Sequence, residues 1–378
     1  MRRRPRVALV YDRAYPREYG GAERRFYELG RRISREFEVG FFFYGSSADK
    51  LDETAGRWIP VGGRRSAYTR GRRSVLHSAE FALRLAPKLS AFGADVVDCS
   101  SVSYAAIPLC AVVARSRRAA LVVTWHEYMG DAWRGYLPQP LAEVGRLLER
   151  TSPRLPDANV AVSHFTARRL STRAGVEARV IPNGVDLELI GRAPPGDETD
   201  VLFVGRLIQE KQADLLLEAA RSLSPRTGTL RVTIVGDGPE RRRIEVLARS
   251  LPANVSVSLI SYVPTDTELY GLMKAAKTFV LPSRREGYAL VVAEAQACGA
   301  VPIVVDAPAS AAPELVEPER TGLVSPSTRG GLAHAISRLL ENDELRREIR
   351  ENALEASQAR DWSRRARETA DLYHELRS

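Results

Sequence analysis

Short apolar runs rich in Val, Ile and Phe alternate with longer stretches of helical periodicity along most of the chain. This alternation is typical of βαβ units, in which helices cover both faces of a parallel sheet. The apolar runs predict strands at Arg6–Tyr11, Val39–Tyr44, Asp95–Cys99, Ala120–Trp125, Asn159–Val162, Arg179–Ile181, Asp200–Val204, Arg231–Val235, Val255–Leu259, Thr278–Leu281 and Pro302–Val305. The periodic stretches predict helices at Ala22–Arg35, Val75–Leu89, Gln139–Arg150, Ala213–Ser222, Pro239–Arg249, Ala289–Ala297, Gly331–Leu340 and Trp362–Leu376.

The alternation restarts in the middle of the chain, after residue 186. Segment 191–199 is rich in Pro, Gly and charged residues, as an exposed linker is. A length of 378 residues also exceeds one ordinary domain. We therefore predict an α/β protein of two Rossmann-like domains, residues 1–185 and residues 186–358.

The net charge of +9 is concentrated in the first half of the chain. Residues 1–190 hold 31 Lys and Arg against 20 Asp and Glu, whereas residues 191–378 hold 25 against 27. The excess lies in clusters at Arg2–Arg6, at Arg64, Arg65, Arg70, Arg72 and Arg73, and at Arg115, Arg117 and Arg118. A basic half indicates an anionic partner, such as acidic lipid, nucleic acid or a charged acceptor; a solvated, Arg-rich surface is the alternative.

The sequence favours a cytoplasmic location. The basic N-terminus precedes only four apolar residues, Val7–Val10, which is too short for a signal-peptide core. No run approaches the roughly 18 apolar residues that span a membrane. Cys99, Cys110 and Cys298 are widely spaced, so we expect reduced, buried thiols.

Two turns follow predicted strands at positions suited to phosphate binding. The pair Gly20-Gly21 opens a helix, whose N-terminus offers N–H groups and partial positive charge to an anion. The turn after the first strand of the second half carries Arg206 and Lys211, two cations that suit phosphate oxygens. The alternatives are an ordinary βα turn for the glycines and a solvated loop for the cations.

The strongest motif is a pair of carboxylates, Glu286 and Glu294, placed across a strand-to-helix junction. A ligand at this junction can rest phosphates on the amides of Ala289–Val292 and sugar hydroxyls on the carboxylates. The alternative is a capping Glu286 and an exposed Glu294. Apolar neighbours of Glu294 argue against simple solvation.

Histidines and a third turn complete the candidates. His126 ends the fourth predicted strand, between Trp125 and Glu127, and His164 ends the next one; ordinary packing is the alternative for both. The turn that begins at Gly236 resembles a dinucleotide fingerprint but has Arg241 in place of its third glycine. We expect that turn to be structural.

Taken in order, these motifs resemble glycosyltransferase family 4, a family of retaining enzymes with the GT-B architecture. The resemblance covers essentially the whole chain. It rests on Gly20-Gly21, Asn183-Gly184-Val185-Asp186, Gly205-Arg206-Leu207 with Glu210-Lys211, Gly236-Asp237-Gly238-Pro239, Glu286 with Glu294, and Pro313-Glu314-Leu315-Val316 with Thr321-Gly322-Leu323-Val324.

The resemblance implies two Rossmann-like domains that face each other across a cleft, with residues 359–378 returning to the N-terminal domain as a helix. It implies that Glu286 and His126 act as catalytic residues at the donor sugar and that Glu294 binds the donor ribose. The residues implied to bind the donor diphosphate are Gly20, Gly21, Arg206, Lys211, Leu290 and Val291. The family needs neither a metal nor a cofactor besides the nucleoside diphosphate (NDP) sugar, and the chain has no Asp-x-Asp metal motif.

One segment departs from the family pattern. Many members carry Gly-Gly before the Pro-Glu pair, where this chain has Ala307–Ala312. That loop lies near the donor sugar in the family. The departure indicates a different sugar or altered contacts around Ser310 and Ala311. It also weakens the match of Glu314 to the family's Pro-Glu pair.

We therefore expect a metal-independent, retaining hexosyltransferase that uses an NDP-sugar and a lipid-linked or polysaccharide acceptor. Its basic N-terminal domain would contact the anionic, cytoplasmic face of the cell membrane. A small soluble acceptor is the first alternative, and a non-catalytic module that binds nucleotide or nucleic acid is the second. No nucleic acid partner is expected, because the chain has no interleaved aromatic and basic platform.

Overall fold

The computed structural model describes residues 3–47, 51–63, 65–66, 68–69, 72–223 and 229–377. The chain divides into two compact units, Met1–Gly184 together with Trp362–Ser378, and Val185–Asp361. The sequence places the boundary after residue 185, next to this division. Within the predicted basic clusters, Arg2, Arg64 and Arg70 lie outside the described residues.

The first unit is built on a parallel sheet. Its strands are β1 (Arg6–Val10), β2 (Glu38–Phe43), β3 (Arg57–Pro60), β4 (Tyr68–Thr69), β5 (Arg72–Arg73), β6 (Val96–Ser100), β7 (Ala120–Trp125), β8 (Ala158–Ala161) and β9 (Arg179–Val180). The sheet order is β3-β2-β1-β6-β7-β8-β9, and β4 pairs separately with β5. The helices are α1 (Gly21–Ile33), α2 (Val75–Phe92), α3 (Ala106–Arg117), α4 (Trp133–Tyr136), α5 (Leu141–Thr151) and α6 (His164–Ala174).

The second unit repeats this plan. Its strands are β10 (Thr199–Val204), β11 (Leu230–Val235), β12 (Val255–Ile260), β13 (Ala276–Leu281), β14 (Arg285–Glu286), β15 (Val301–Asp306), β16 (Ala309–Ser310) and β17 (Leu323–Pro326). The parallel sheet has the order β12-β11-β10-β13-β15-β17, and β14 pairs with β16. The helices are α7 (Leu187–Arg192), α8 (Ala213–Arg221), α9 (Arg241–Arg249), α10 (Asp266–Ala275), α11 (Leu290–Cys298), α12 (Arg329–Glu341) and α13 (Asp343–Ser357).

Each sheet has a point at which the strand order reverses, between β1 and β6 in the first unit and between β10 and β13 in the second. The loops that leave the two strands at such a point diverge and open a crevice at the carboxyl ends of the strands. In the second unit this brings the turn with Arg206 and Lys211 beside the segment with Glu286.

The last helix, α14 (Trp362–Glu375), belongs to the first unit and packs on α1. Trp362 is fully buried, and the hydroxyl of Tyr373 donates a 2.6 Å hydrogen bond to buried Asp98. Thr124 donates to the same carboxyl at 2.8 Å. Burial raises the pKa of Asp98, and these hydrogen bonds oppose that shift.

Every strand and helix that the periodicity predicts is present, with ends that differ by three residues or fewer. The periodicity missed β3, β17, α3, α6, α7, α10 and α13, and also the very short elements β4, β5, β14, β16 and α4. Proline explains part of this, since Pro60 and Pro326 end short strands and Pro108 lies in the first turn of α3, where no N–H is needed. Helix α10 could have been predicted, because Thr265 and Glu268 have the spacing of a capping box. In the structure, Oγ1 of Thr265 accepts from the amide of Glu268.

Two further expectations concern cysteines and membrane spans. Cys99, Cys110 and Cys298 are buried free thiols, as predicted. Within the part of the chain that the structure describes, no helix combines the length and apolarity needed to cross a bilayer.

Glycine is required where the turn after β11 meets the turn after β10. Gly236 has φ 147°, and a Cβ there would lie 1.9 Å from the carbonyl oxygen of Gly205. We expect Gly236→Ala to destabilise the second unit by at least about 2 kcal/mol and to lower its melting temperature by roughly 4–8 °C. Thermal unfolding followed by circular dichroism measures the change.

Gly330→Ala is the matched control, because a Cβ at Gly330 in α12 meets nothing within 4 Å. It should be neutral or slightly stabilising, since Ala favours helix over Gly. Equal melting temperatures for the two variants would contradict the close backbone contact at Gly236.

Candidate functional site

An ion pair between Lys211 and Glu286 joins the two segments at the crevice of the second unit. The Nζ of Lys211 lies 2.5 Å from Oε1 of Glu286, and the two side chains are 21% and 9% exposed. An ammonium has three N–H donors, so this contact leaves Lys211 further donors for a second anion. The structure thus brings together two residues that are 75 positions apart in the sequence.

Backbone hydrogen bonds hold the Arg206–Lys211 turn from both sides. Leu207 donates to Asp237 at 2.9 Å and accepts from Glu240 at 2.9 Å, both in the turn after β11. On the other side, the amide of Arg284 donates to the carbonyl of Glu210 at 2.9 Å. The Gly236 turn is therefore structural support here, and the side chain of Arg206 is exposed beside it.

Helix α11 follows the segment that carries Glu286. It begins at Leu290 and is buried from Val292 to Cys298. Its N-cap, Ala289, has left-handed backbone angles (φ 69°, ψ 58°). Non-glycine residues adopt these angles at a cost of about 1 kcal/mol or more, and such strain clusters at functional sites. The first amides of a helix have no partner within it, so Leu290 and Val291 present N–H groups at this end.

Glu294 is a buried carboxylate one turn further along α11, with 3% of its surface exposed. The hydroxyl of Tyr270, on α10, donates to its Oε1 at 3.3 Å. Tyr270 is fully buried and was missed by sequence reasoning, because α10 itself was missed. This burial agrees with the prediction, made from its apolar neighbours, that Glu294 is not an ordinary solvent-exposed carboxylate.

The loop that differs from the family pattern, residues 307–312, is in direct contact with the candidate site. Its strand β16 pairs with β14, so that Ser310 lies opposite Glu286. The amide of Ala311 donates to the carbonyl of Glu286 at 2.8 Å, and the amide of Ala312 donates to Oγ of Ser310 at 3.2 Å. The loop therefore fixes the backbone that carries Glu286, whereas the side chain of Glu314 is exposed.

In the first unit, His126 follows β7 and approaches α1. Its amide donates to Oγ of Ser101 at 3.3 Å, and its ring centroid lies 6.0 Å from that of Phe26 in α1. Gly20 is the exposed N-cap of the same helix, and Gly21 is its exposed first residue. These predicted residues thus lie at the carboxyl edge of one sheet, while His164 is an exposed residue at the start of α6.

Glu149 is a buried residue that the sequence did not single out. Its carboxylate accepts from Tyr104 Oη, from the amides of Met129 and Gly130, and from Trp133 Nε1, at 2.7–3.1 Å. Burial raises the pKa of this carboxyl, and the four donors oppose the shift. Glu149 therefore fixes the segment that follows His126; no local pattern could have revealed this contact.

The sequence also did not single out Asp12 and His77, which are buried together after β1. The Nε2 of His77 lies 3.1 Å from Oδ2 of Asp12, and its Nδ1 lies 3.2 Å from the carbonyl of Arg65. The position of Asp12 directly after a strand was the available signal.

In the described ranges, no group of three or more His, Cys, Asp or Glu side chains is arranged to hold a metal ion.

Family models match both halves of the chain. The model for glycosyl transferases group 1 matches residues 190–356, and that for glycosyltransferase family 4 matches residues 19–189. Among solved structures, the chain resembles sucrose-phosphate synthase from Thermosynechococcus elongatus, with a TM-score of 0.80, 23% identity and 99% coverage of both chains. It also resembles HepE of Anabaena solved with UDP and glucose, with a TM-score of 0.76, 18% identity and coverage of 98% and 100%.

Two curated relatives named as transferases align with this chain over only part of their own length. The alpha-D-kanosaminyltransferase of Streptomyces kanamyceticus is 29% identical over 69% of this chain and 61% of its own length. A D-inositol 3-phosphate glycosyltransferase of a Nocardioides species is 31% identical over 65% of this chain and 58% of its own length. The aligned region thus spans less than two thirds of the length of these relatives.

The strained N-cap of α11 gives a direct test of the site's architecture. We expect Ala289→Val to destabilise the second unit by about 2 kcal/mol or more, because β-branched residues rarely adopt left-handed angles. Ala289→Gly should keep or slightly raise stability, since glycine adopts these angles freely. Thermal unfolding measures both changes.

Ala356→Val is the matched control, because Ala356 is a half-buried residue within helix α13 of the same unit. If it were as destabilising as Ala289→Val, the backbone conformation at Ala289 would not explain the loss.

Proposed function

Because the chain belongs to the group 1 glycosyltransferases and has the GT-B fold, we propose that it transfers a sugar from an NDP-sugar to an acceptor. One observation carries the proposal. Glu286, which pairs with Lys211, shortly precedes in sequence the amides that begin α11, and buried Glu294 follows in the same helix. Cation, amides and carboxylates are the groups that recognise a diphosphate and sugar hydroxyls.

In this proposal, Lys211 and Arg206 bind the diphosphate, assisted by the amides of Leu290 and Val291. Departure of the nucleoside diphosphate spreads negative charge over phosphate oxygens, and preorganised cations and amides stabilise that charge. Glu294 accepts hydrogen bonds from the ribose. Its burial and its contact with Tyr270 fix its orientation without help from solvent.

Glu286 serves the donor sugar. Its Oε1 is engaged by Lys211, which leaves Oε2 to accept from sugar hydroxyls. Because Ser310 and Ala311 hold the backbone at Glu286, the loop of residues 307–312 contributes to the choice of sugar. In the first unit, His126 remains a predicted catalytic residue at the donor sugar, and Gly20 and Gly21 remain predicted to bind the donor diphosphate.

We propose a retaining, metal-independent reaction, with front-face attack assisted by the leaving phosphate. We further propose a cytoplasmic enzyme that contacts the inner membrane face and glycosylates a lipid-linked or polysaccharide acceptor. The strongly basic first half of the sequence supports the membrane contact.

A small soluble acceptor is the second candidate. Relatives named for D-inositol 3-phosphate and a solved neighbour named for sucrose phosphate support a small, phosphorylated product or acceptor. An Arg-rich first unit also suits a phosphorylated sugar or polyol.

Donor binding is tested by thermal shift with UDP-, GDP- and ADP-sugars. A donor at a hundred times its dissociation constant should stabilise the protein by about 2.7 kcal/mol, a rise of roughly 5–10 °C. We expect Lys211→Ala and Glu294→Gln to remove most of that shift while leaving the ligand-free protein folded. Loss of a charge-assisted contact to the donor is the reason.

Lys277→Ala is the control, because Lys277 also forms an ion pair in this unit, 2.9 Å from Asp200, but at the start of β13. It should keep the full shift. Undiminished shifts in both site variants would refute the assignment of the donor site.

Transfer itself is tested with the stabilising NDP-sugar, radiolabelled, and two acceptor pools. We expect label to enter the organic phase of a membrane extract, and we expect EDTA to leave the rate unchanged because no metal takes part in the proposed step. Label found instead on an inositol or hexose phosphate would select the second candidate. Loss of activity in EDTA, restored by Mg²⁺, would refute metal independence.

A further inference from the structure

A cavity of about 420 Å³ lies within the second unit, among helices α7, α10, α11 and α13. We call it the α13 cavity, and its lining is largely apolar but includes two cations. The residues that matter for its chemistry are Ile190, Lys274, Ala297, Cys298, Arg350 and Leu354. Pockets that bind small molecules measure about 300–1,000 Å³ and combine apolar walls with a few polar groups. The α13 cavity therefore has the size and composition of a small-molecule site.

The cavity lies at the other end of α11 from the candidate donor site. The amides assigned to the donor begin this helix at Leu290, whereas Ala297 and Cys298 end it and line the cavity. At 1.5 Å per residue the two ends are about 12 Å apart. Because α11 connects the adjacent parallel strands β13 and β15, it runs back from the carboxyl edge of the sheet to its amino edge. The cavity is thus separate from the crevice that holds Lys211 and Glu286.

Lys274, on α10, is the first of the two cations. Its Nζ donates to the carbonyl of Ala193 at 2.7 Å and to that of Gly191 at 3.5 Å, at the end of α7. These contacts hold the half-buried side chain at the cavity wall. An ammonium has three N–H donors, so one is left for a ligand.

Arg350, on α13, is the second cation and lies exposed at the rim of the cavity. Its guanidinium packs against the end of α11, since a Cβ added at Gly299 would lie 2.9 Å from its Nε. In the part of the chain that the structure describes, no carboxylate lies within 4.0 Å of Arg350 or Lys274. No acidic side chain from those residues lines the cavity either. The α13 cavity therefore carries two positive charges that no lining residue neutralises.

We propose that the α13 cavity is a second ligand site, which binds a small organic anion with an apolar body. The apolar body contacts Ile190, Ala297 and Leu354, and the anionic group meets the two cations. A guanidinium binds a carboxylate or phosphate through two parallel hydrogen bonds, and an ammonium adds a point charge. The apolar wall favours such a ligand over an inorganic anion, because burial of apolar surface adds to affinity. The site does not depend on the proposed transfer reaction.

Isothermal titration calorimetry of the full chain with octanoate tests the proposal, with octanol and acetate as comparison ligands. We expect octanoate to bind with one-to-one stoichiometry and a dissociation constant of about 1 mM or tighter. Octanol lacks the charge and acetate lacks the apolar body, so each should bind at least about tenfold more weakly. Arg350→Gln should weaken octanoate binding about tenfold and leave octanol binding unchanged, because only octanoate meets the guanidinium.

Arg347→Gln is the matched control. Arg347 is also an exposed arginine on α13, but it does not line the cavity, and the charge change is identical. The control should bind octanoate as the unchanged protein does. Should Arg350→Gln prove unfolded by circular dichroism, Lys274→Gln is expected to show the same selective loss of octanoate binding.

Four results would overturn the proposal: no binding of octanoate, full binding by folded Arg350→Gln, an equal loss in Arg347→Gln, or equal affinities for octanoate and octanol. Octanoate binding that disappears when the stabilising NDP-sugar is present at saturation would assign octanoate to the donor site and would also overturn it. The donor contacts proposed above do not involve Arg350. A failed octanoate titration with an intact donor shift therefore refutes the second site and leaves the proposed function standing.

Discussion

The contact between Lys211 and Glu286 is the constraint on which the candidate site depends. Each charge comes from a segment that follows one of two adjacent strands, β10 and β13, so sheet order alone brings them together. Both side chains are largely withdrawn from water, which strengthens their attraction but also raises the cost of leaving either one unpaired. The pair therefore fixes both segments at once. An ammonium with three donors can keep this contact while it binds an anionic ligand.

Unusual backbone positions cluster around that contact. Gly236 lets the turn after β11 approach the turn after β10, and Ala289 turns the chain sharply into α11. Strain of this kind persists only where surrounding structure enforces it. Here the enforcement comes from a helix that is buried from Val292 to Cys298 and from the β14–β16 pair. The segment with Glu286 is thus held at both of its ends.

The first unit uses buried carboxylates for the same purpose. Asp98 receives Tyr373 from the last helix, and Glu149 receives four donors from the segment after His126. A buried carboxylate is stable only when its lone pairs are satisfied, so each of these contacts specifies one local arrangement.

Local pattern in the sequence determined the strands and helices with clear periodicity, the break near residue 185, and the candidates Arg206, Lys211, Glu286 and Glu294. These follow from side-chain period and from turn chemistry, which act over a few residues. Only the tertiary structure decided that β16 pairs with β14, that Tyr270 meets Glu294 and that Glu149 collects four donors. Each of these depends on chain segments far apart in sequence, and whether an apolar helix residue is covered depends on what packs against it. Periodicity fixes the faces of an element, but the partners of those faces are set by how the elements assemble.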